Sequence, residues 1–414
     1  MSGSPDPSLA GEKKYPFEKW LPMGLAGLLI GVGGIVEGIQ LANGHLEFGA
    51  YRFFYFNLLI VLCAGAWFGA RSGRHRLAWW ILAFVVIDLT FGVVTHKLSR
   101  AGPGRSFLPE NHLQSRFQYH PLLQAVPTPG YRDRRHEHDE RGLRRSLPVN
   151  RQRPSIAVFG GSTTYDIGVR NRETWPERLE ESLHGAANVL NFGVPGYSTA
   201  EHLIQTAFYL DPQRDRLRCA IYYVGWNDIR NSFLPKLDPG YADFHLPSQI
   251  DNLDARRRSF LHSFSLGVLL DRMLHLQFDS LPGAPDYRRE PEGSGVDARL
   301  MELYRRNVGN IARLAHDRGV RVLFVAQLLN EGRLSGEGRY GWLPMVRDRE
   351  VPVIQEAFNQ ALVETGREQG FEVLRIGSGV FEDRDFVDNG HFSVEGARKF
   401  ASRLEGWSRN HCLE

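Results

Sequence analysis

Residues 155–164 read S-I-A-V-F-G-G-S-T-T, from Ser155 to Thr164. Ile156–Phe159 is a β-branched and aromatic run, too short for a helix and suited to a buried parallel strand. Gly160 and Gly161 let the chain turn sharply and let other groups come close. The Ser162 hydroxyl then stands at the carboxyl end of a strand, where open α/β sheets hold their ligands. Two readings of the serine are open on this stretch alone: a nucleophile, or part of a Ser/Thr-rich turn capping the next helix.

Downstream, strand candidates recur at Asn188–Phe192, Cys219–Val224, Arg321–Ala326 and Glu372–Ile376. Amphipathic helical stretches separate them, among them Val296–Arg318 and Val353–Glu368. Thr174-x-x-Glu177 and Ser198-x-x-Glu201 read as capping boxes, and Ser393 as the N-cap of a last helix to about Trp407. Strand–helix alternation with buried strands predicts a doubly wound, flavodoxin-like α/β sheet with right-handed crossovers. The span 229–295 breaks the alternation. It carries D-P-G at 238–240, arginines at 256–258 and an apolar stretch from Phe260 to Phe278. An extra packed helix is the first expectation for that stretch; a pocket lid or a bilayer contact are the alternatives.

Four short blocks fall at carboxyl ends of these strands or just before a helix: Gly160-Gly161-Ser162-Thr163, Asn191-Phe192-Gly193-Val194-Pro195-Gly196, Gly225-Trp226-Asn227-Asp228 and Asp388-Asn389-Gly390-His391. Their chemistry is complementary. A serine at its free pKa needs a base within hydrogen-bond reach, and His391 is the candidate. A carboxylate holds an imidazole in one tautomer, and Asp388 lies three residues upstream. An oxyanion needs fixed donors, expected from the Ser162 N–H, the Gly193 N–H and the Asn227 amide. Asp166 and Asp228 lie beside two of these residues; capping or turn roles are expected for both, with pocket shaping as the alternative.

These four blocks, in this order, resemble the SGNH hydrolase superfamily, the GDSL-type esterases and lipases. The resemblance covers roughly residues 119–410. It implies a three-layer α/β/α domain with a five-stranded parallel sheet. It assigns Ser162 as nucleophile, Gly193 and Asn227 as oxyanion donors, and His391 as base oriented by Asp388. The first block is G-G-S-T and not G-D-S, but it keeps the serine. With the whole set present, an inactive descendant is not expected.

The first hundred residues are far more apolar than the rest. Leu21–Ala42, Phe53–Ala70 and Leu77–Thr95 are each long enough to cross a hydrocarbon core about 30 Å thick, and three in succession predict membrane spans. Trp20, Tyr51, Trp79 and Trp80 lie near their ends, as interfacial aromatics do. The 71–76 loop holds three arginines, the 43–52 loop only Arg52, and Lys13, Lys14 and Lys19 precede the first span. This predicts a cytoplasmic N-terminus and a periplasmic or extracellular catalytic domain. The first span lacks a convincing cleavage site, so an anchor is expected and not a removed signal. Glu37, Asn57 and Asp88 are polar groups inside the spans, and Gly27-x-x-x-Gly31 and Gly34-x-x-x-Gly38 allow close helix approach. Packing of the three spans is the expected role of these features, with a functional role the alternative.

Residues 97–154 are rich in Arg, Pro and Gly. The run R-D-R-R-H-E-H-D-E-R at 132–141 is expected to be a solvated extended segment, in preference to a metal site at His136 and His138. The expected organisation is a membrane anchor over 1–96, a basic lead-in over 97–154 and a hydrolase domain over 155–414. A net charge of +3 on 414 residues gives no case for nucleic acid. Cys63, Cys219 and Cys412 give no disulfide framework and no metal-ligand spacing. No cofactor and no metal is expected. The expected function is a serine esterase outside the membrane that deacylates, chiefly deacetylates, a glycan or lipid-linked envelope substrate. An O-acyltransferase using the same acyl-serine and a non-catalytic envelope scaffold are the alternatives. A partner membrane protein is left open.

Overall fold

A computed structural model describes residues 16–42, 51–101, 106–109, 116–120, 122–133, 135–233, 263–278, 293–334, 343 and 345–413. The chain forms two compact units: residues 1–113 with 258–281, and residues 114–257 with 282–414. The D-P-G at 238–240 and the arginines at 256–258 lie outside the described residues.

The first unit contains helices α1 (Pro16–Ala42), α2 (Tyr51–Arg71) and α3 (His75–Ala101). All three are long and apolar enough to cross a membrane. Trp20, Leu28, Val61, Phe68, Trp80 and Ile87 turn outward from this unit, as a lipid-facing surface requires. Met23, Ala26, Tyr55, Leu59, Cys63, Ala66, Leu82 and Val85 face one another inside it.

The polar groups inside these three helices are paired. Asn57 donates to Glu37 Oε1 at 2.6 Å and to the Phe53 carbonyl at 2.9 Å. Asp88, 0% exposed, accepts the Ser265 N–H at 3.1 Å and the Leu266 N–H at 2.8 Å. Those are the first two N–H groups of a helix over Ser265–Phe278. The Ser265 hydroxyl donates to the Tyr55 hydroxyl at 3.3 Å, and the Phe84 and Phe264 rings meet edge to face at 5.5 Å. The apolar stretch of the insertion is therefore a helix packed in the unit of the three long apolar helices, with Asp88 as its cap. The Gly-x-x-x-Gly motifs do not serve as expected. A Cβ at Gly27, Gly31, Gly34 or Gly38 would meet nothing within 4 Å, and it is Gly33 that lies against Ile60.

The second unit is built on a five-stranded, all-parallel sheet in the order β4-β3-β5-β6-β7. Its strands are β3 (Ser155–Gly160), β4 (Asn188–Asn191), β5 (Leu217–Val224), β6 (Arg321–Ala326) and β7 (Glu372–Leu374). All five fall where the apolar runs placed them. A separate antiparallel hairpin, β1 (Phe117–His120) with β2 (Gln124–Pro127), precedes them. Alternation along each strand divides the core into two layers. Ala157, Phe159, Ala220, Tyr222 and Phe324 pack against helices 199–208, 298–317 and 351–369. Ile156, Val158, Ile221, Tyr223 and Val325 pack against helices 175–182 and 394–412. A row of rings crosses the sheet: Phe192, Phe159, Tyr222 and Phe324 follow one another at 5.0, 4.7 and 5.1 Å. Burying each such ring contributes roughly 1.5–3 kcal/mol.

The Ser198–Glu201 capping box is formed. At Thr174 only half of one is present: the Thr174 hydroxyl accepts the Glu177 N–H. The Glu177 carboxylate instead accepts N–H groups of Ser146, Leu147 and Arg172. This belongs to a larger departure from the expected organisation. The lead-in from residue 114 is part of the second unit. His136, His138, Arg144 and Arg145, expected in or beside a solvated segment, are buried. The charges escaped recognition as interior groups because their partners are backbone carbonyls and carboxylates distant in sequence. The cysteines differ as well. Cys219, the third residue of β5, and Cys412, ending the last helix, form a disulfide across 193 residues, with Cα atoms 5.6 Å apart.

Replacing Asp88 with leucine should leave the Ser265 and Leu266 N–H groups without an acceptor in an apolar interior, at about 1–3 kcal/mol each. Thermal unfolding of the detergent-solubilised chain should show a clearly lowered midpoint for Asp88→Leu and a smaller loss for Asp88→Asn, which keeps one acceptor oxygen. Equal midpoints in all three proteins would contradict the capping role.

Candidate active site

β3 ends at Gly160, and Ser162–Tyr165 forms a single helical turn behind Gly161. Gly161 is required there: a Cβ on it would collide with the Asn227 amide nitrogen and crowd the Tyr197 carbonyl. The Ser162 hydroxyl is therefore presented at the strand end beside Asn227. Asn227 sits in the first turn after β5, over Trp226–Ile229, and its Nδ2 donates to the Tyr197 carbonyl at 2.9 Å. That bond uses one amide hydrogen and leaves the second.

The fourth block reaches the same point from the other end of the chain. His391 Nε2 lies 2.7 Å from Ser162 Oγ, and His391 Nδ1 lies 2.7 Å from Asp388 Oδ2. The second Asp388 oxygen accepts the Gly390 N–H at 2.9 Å and the His391 N–H at 2.8 Å. Burial pushes the Asp388 carboxyl up, but the His391 ring and these two N–H groups outweigh it and hold it at about 2. The loop is braced on both sides. Phe392 is fully buried and stacks on Phe386 and Tyr223. Arg333 donates to the Val387 carbonyl at 2.7 Å and to both oxygens of Asp383 at 2.6 and 2.8 Å.

Ser162, Asn227, Asp388 and His391 thus converge as the sequence led one to expect, and Gly193 does not join them. Its N–H donates to Asn191 Oδ1 at 2.9 Å, and its Cα packs on the backbone of Thr164 and Tyr165. Gly193 instead borders a cleft of about 440 Å³ whose walls include Val126, Phe192 and Tyr209 but neither Ser162, Asn227 nor His391. Three residues on, Gly196 has φ +84°, a conformation that favours glycine. Its N–H has no partner among the described residues, and neither has that of Ser162. Gly196 directly precedes Tyr197, whose carbonyl holds Asn227. The signal was present in the block, which contains glycine at both 193 and 196; choosing between them required knowing where each N–H goes.

The two neighbouring carboxyls hold helix starts. Asp166 Oδ2 accepts the Trp175 N–H at 2.8 Å, and Asp228 Oδ1 accepts the Thr199 N–H at 3.1 Å and its hydroxyl at 2.5 Å. Burial pushes Asp166 up to about 7, against the Trp175 N–H, Arg144 and His391. Burial likewise pushes Asp228 up to about 6, against its Thr199 bonds. His136 and His138 are engaged elsewhere. His138 Nδ1 donates to the Thr128 carbonyl at 2.9 Å and its Nε2 meets the Tyr165 hydroxyl at 2.7 Å. His136 bonds to Asp133 and stacks on the Tyr165 ring. No group of three or more metal-ligating side chains occurs among the described residues.

A parallel sheet presenting a serine, an imidazole and a carboxylate at its carboxyl edge defines a hydrolase of the serine type. The family model of the GDSL-like lipase/acylhydrolase family matches residues 158–399. The chain belongs to that family and acts on ester bonds. Among solved structures it is similar to a GDSL-like lipase from Bacteroides thetaiotaomicron VPI-5482, at 11% identity, covering 64% of this chain and 92% of that one, TM-score 0.36. It is similar to a member of the lipolytic G-D-S-L family from Veillonella parvula DSM 2008, at 15% identity, 60% and 95% coverage, TM-score 0.34. A third is an α/β hydrolase from the metagenome of Lake Arreo, Spain, at 11% identity, 63% and 96% coverage, TM-score 0.35. Among curated proteins none matches the chain.

Asp388→Asn should keep the loop but lose the carboxylate that orients His391. Ester turnover by the full chain should fall about 10²–10⁴-fold, with KM little changed. The depressed Asp388 contributes above the ordinary carboxylate pKa of 3.8 and is lost only as pH falls toward about 2. An acid limb of the wild-type pH–rate profile near neutrality should therefore persist in Asp388→Asn, since Asp388 is not its source.

Proposed function

We propose that the protein is a serine esterase that removes an acyl group, chiefly acetyl, from a glycan or lipid-linked substrate on the outer side of the membrane. The observation that carries the reading is the continuous chain Asp388–His391–Ser162, with 2.7 Å at each contact. His391 takes the Ser162 proton as the hydroxyl attacks the ester carbonyl, and returns it to the departing alcohol. The oxyanion is received by the Ser162 N–H, the free Asn227 amide hydrogen and the Gly196 N–H, in place of the Gly193 N–H expected from the motif. Water, activated by the same imidazole, then frees the acyl-serine.

Two observations support an outward-facing domain. Residues 71–76, where α2 ends and α3 begins, carry three arginines, which favours the cytoplasmic side for this turn. The Cys219–Cys412 disulfide belongs to an oxidising compartment. An anchored enzyme facing outward suits a substrate that is itself fixed to, or part of, the envelope.

The full chain in detergent should hydrolyse p-nitrophenyl acetate, and Ser162→Ala should lower kcat about 10³–10⁶-fold. A mutant as fast as the wild type would exclude the serine mechanism. Free acetate is the expected product with acetylated oligosaccharide; acetyl transferred to an added acceptor sugar would move the reading to acyl transfer. Protease added to intact cells stripped of any outer barrier should cut the catalytic domain. Protection of that domain until the membrane is lysed would reverse the assigned orientation.

A further inference from the structure

The basic run at 132–145 is not consumed by the reaction described above, yet part of it reaches the turn that carries Ser162. Arg144 is 1% exposed. Its Nη1 donates to the carbonyls of Tyr165 and of Asp166, the latter at 2.5 Å. Its Nη2 donates to the Val169 carbonyl at 2.7 Å, and its Nε to Asn171 Oδ1 at 3.3 Å. The guanidinium also stacks over the Tyr165 ring, 4.5 Å from its centre. That ring is enclosed further by the His138 contact to its hydroxyl and by His136 on its face.

The target of this clamp is a helix of only four residues, Ser162–Tyr165. One turn has no stability of its own, and its last carbonyls have no helical partner. The Asp166 N–H closes back on the Ser162 carbonyl at 2.8 Å, so a shift at Tyr165 or Asp166 is transmitted directly to Ser162. An arginine fork can hold several carbonyls in fixed directions, which a lysine ammonium on its flexible stem cannot. Arg144 also precedes the stretch matched by the family, 158–399, so this support comes from the chain's own lead-in.

We propose that Arg144 is a positioning residue for Ser162: its guanidinium, by taking the Tyr165, Asp166 and Val169 carbonyls, fixes the one-turn helix so that the hydroxyl stays within hydrogen-bond reach of His391. The proposal rests on Ser162 being the nucleophile. Arg145 provides the internal control. It is equally buried, but it donates to the Val189 carbonyl at 2.9 Å and the Leu147 carbonyl at 2.6 Å, away from the turn.

The test uses the full chain in detergent, with Arg144→Lys, Arg145→Lys and Asn171→Ala. It reads kcat and KM on p-nitrophenyl acetate, the rate of labelling by a fluorophosphonate, and Tm. Arg144→Lys should lower kcat and the labelling rate about 10–100-fold with KM unchanged, because a displacement near 1 Å suffices for such losses. Arg145→Lys should lower Tm but keep kcat within about twofold of wild type. Wild-type kcat in Arg144→Lys overturns the proposal, as does an equal loss of kcat in Arg145→Lys. If Arg144→Lys does not fold, Asn171→Ala decides. It removes the acceptor of Nε together with the Asn171 Nδ2 donor to the Glu137 carbonyl, and should slow labelling about threefold; an unchanged labelling rate overturns the proposal. A wild type labelled at a residue other than Ser162 defeats the nucleophile reading itself, whereas the outcomes above, with label on Ser162, bear on Arg144 alone.

Discussion

The contact between Ser162 Oγ and His391 Nε2 joins residues 229 positions apart in the chain. Nothing local holds it. The serine is fixed to the end of β3, the second strand in the sheet order, and the histidine to a loop between β7 and the final helix. The register of the sheet and the seating of that loop must both be right for the two atoms to meet. The row of rings from Phe192 to Phe324 sets the first. The buried Phe392, one residue beyond the histidine, and Arg333 on the loop backbone set the second. A site assembled in this way is rigid because packed cores do not deform continuously.

Much of the surrounding support is polar and buried. Arg144, Arg145, Glu177, Asp166 and Asp228 all lie within the second unit and bond largely to backbone groups. Each charge or carboxyl taken from water costs free energy, which hydrogen bonds offset in part; Asp166 and Asp228 each keep one buried oxygen without a partner among the described residues. Apolar side chains would fill the same space at lower cost but could not specify the direction of a carbonyl or the start of a helix. Arg144 acts on the backbone of the turn that carries Ser162, and Asp166 and Asp228 on the starts of the helices that follow.

The first unit follows the same logic in the interior of its apolar helices. Glu37 pairs with Asn57, and Asp88 takes the first N–H groups of helix 265–278. In an apolar interior these pairs are the alternative to unsatisfied groups. The chain passes from the second unit to the first over 258–281 and then returns; within the second unit the Phe233 N–H is held by Asp297 at 2.8 Å. A single excursion of the chain therefore contributes a helix to the other unit.

The sequence by itself determined the five strands, the three long apolar helices and the residues Ser162, Asn227, Asp388 and His391. These are carried by local patterns: apolar runs, hydropathy length and short blocks at strand ends. Tertiary structure decided what depends on the destination of a hydrogen bond or on distance across the fold. The 132–145 run looked solvated because charge is normally exposed, yet Arg144 and Arg145 find carbonyls and carboxyls from remote segments. Two cysteines 193 residues apart had no pattern until β5 and the last helix lay side by side. Gly193 and Gly196 are equivalent as letters; the Asn191 side chain takes one N–H and leaves the other. Asp88 was recognisable as a polar group in a span, but only packing identified the helix that it caps.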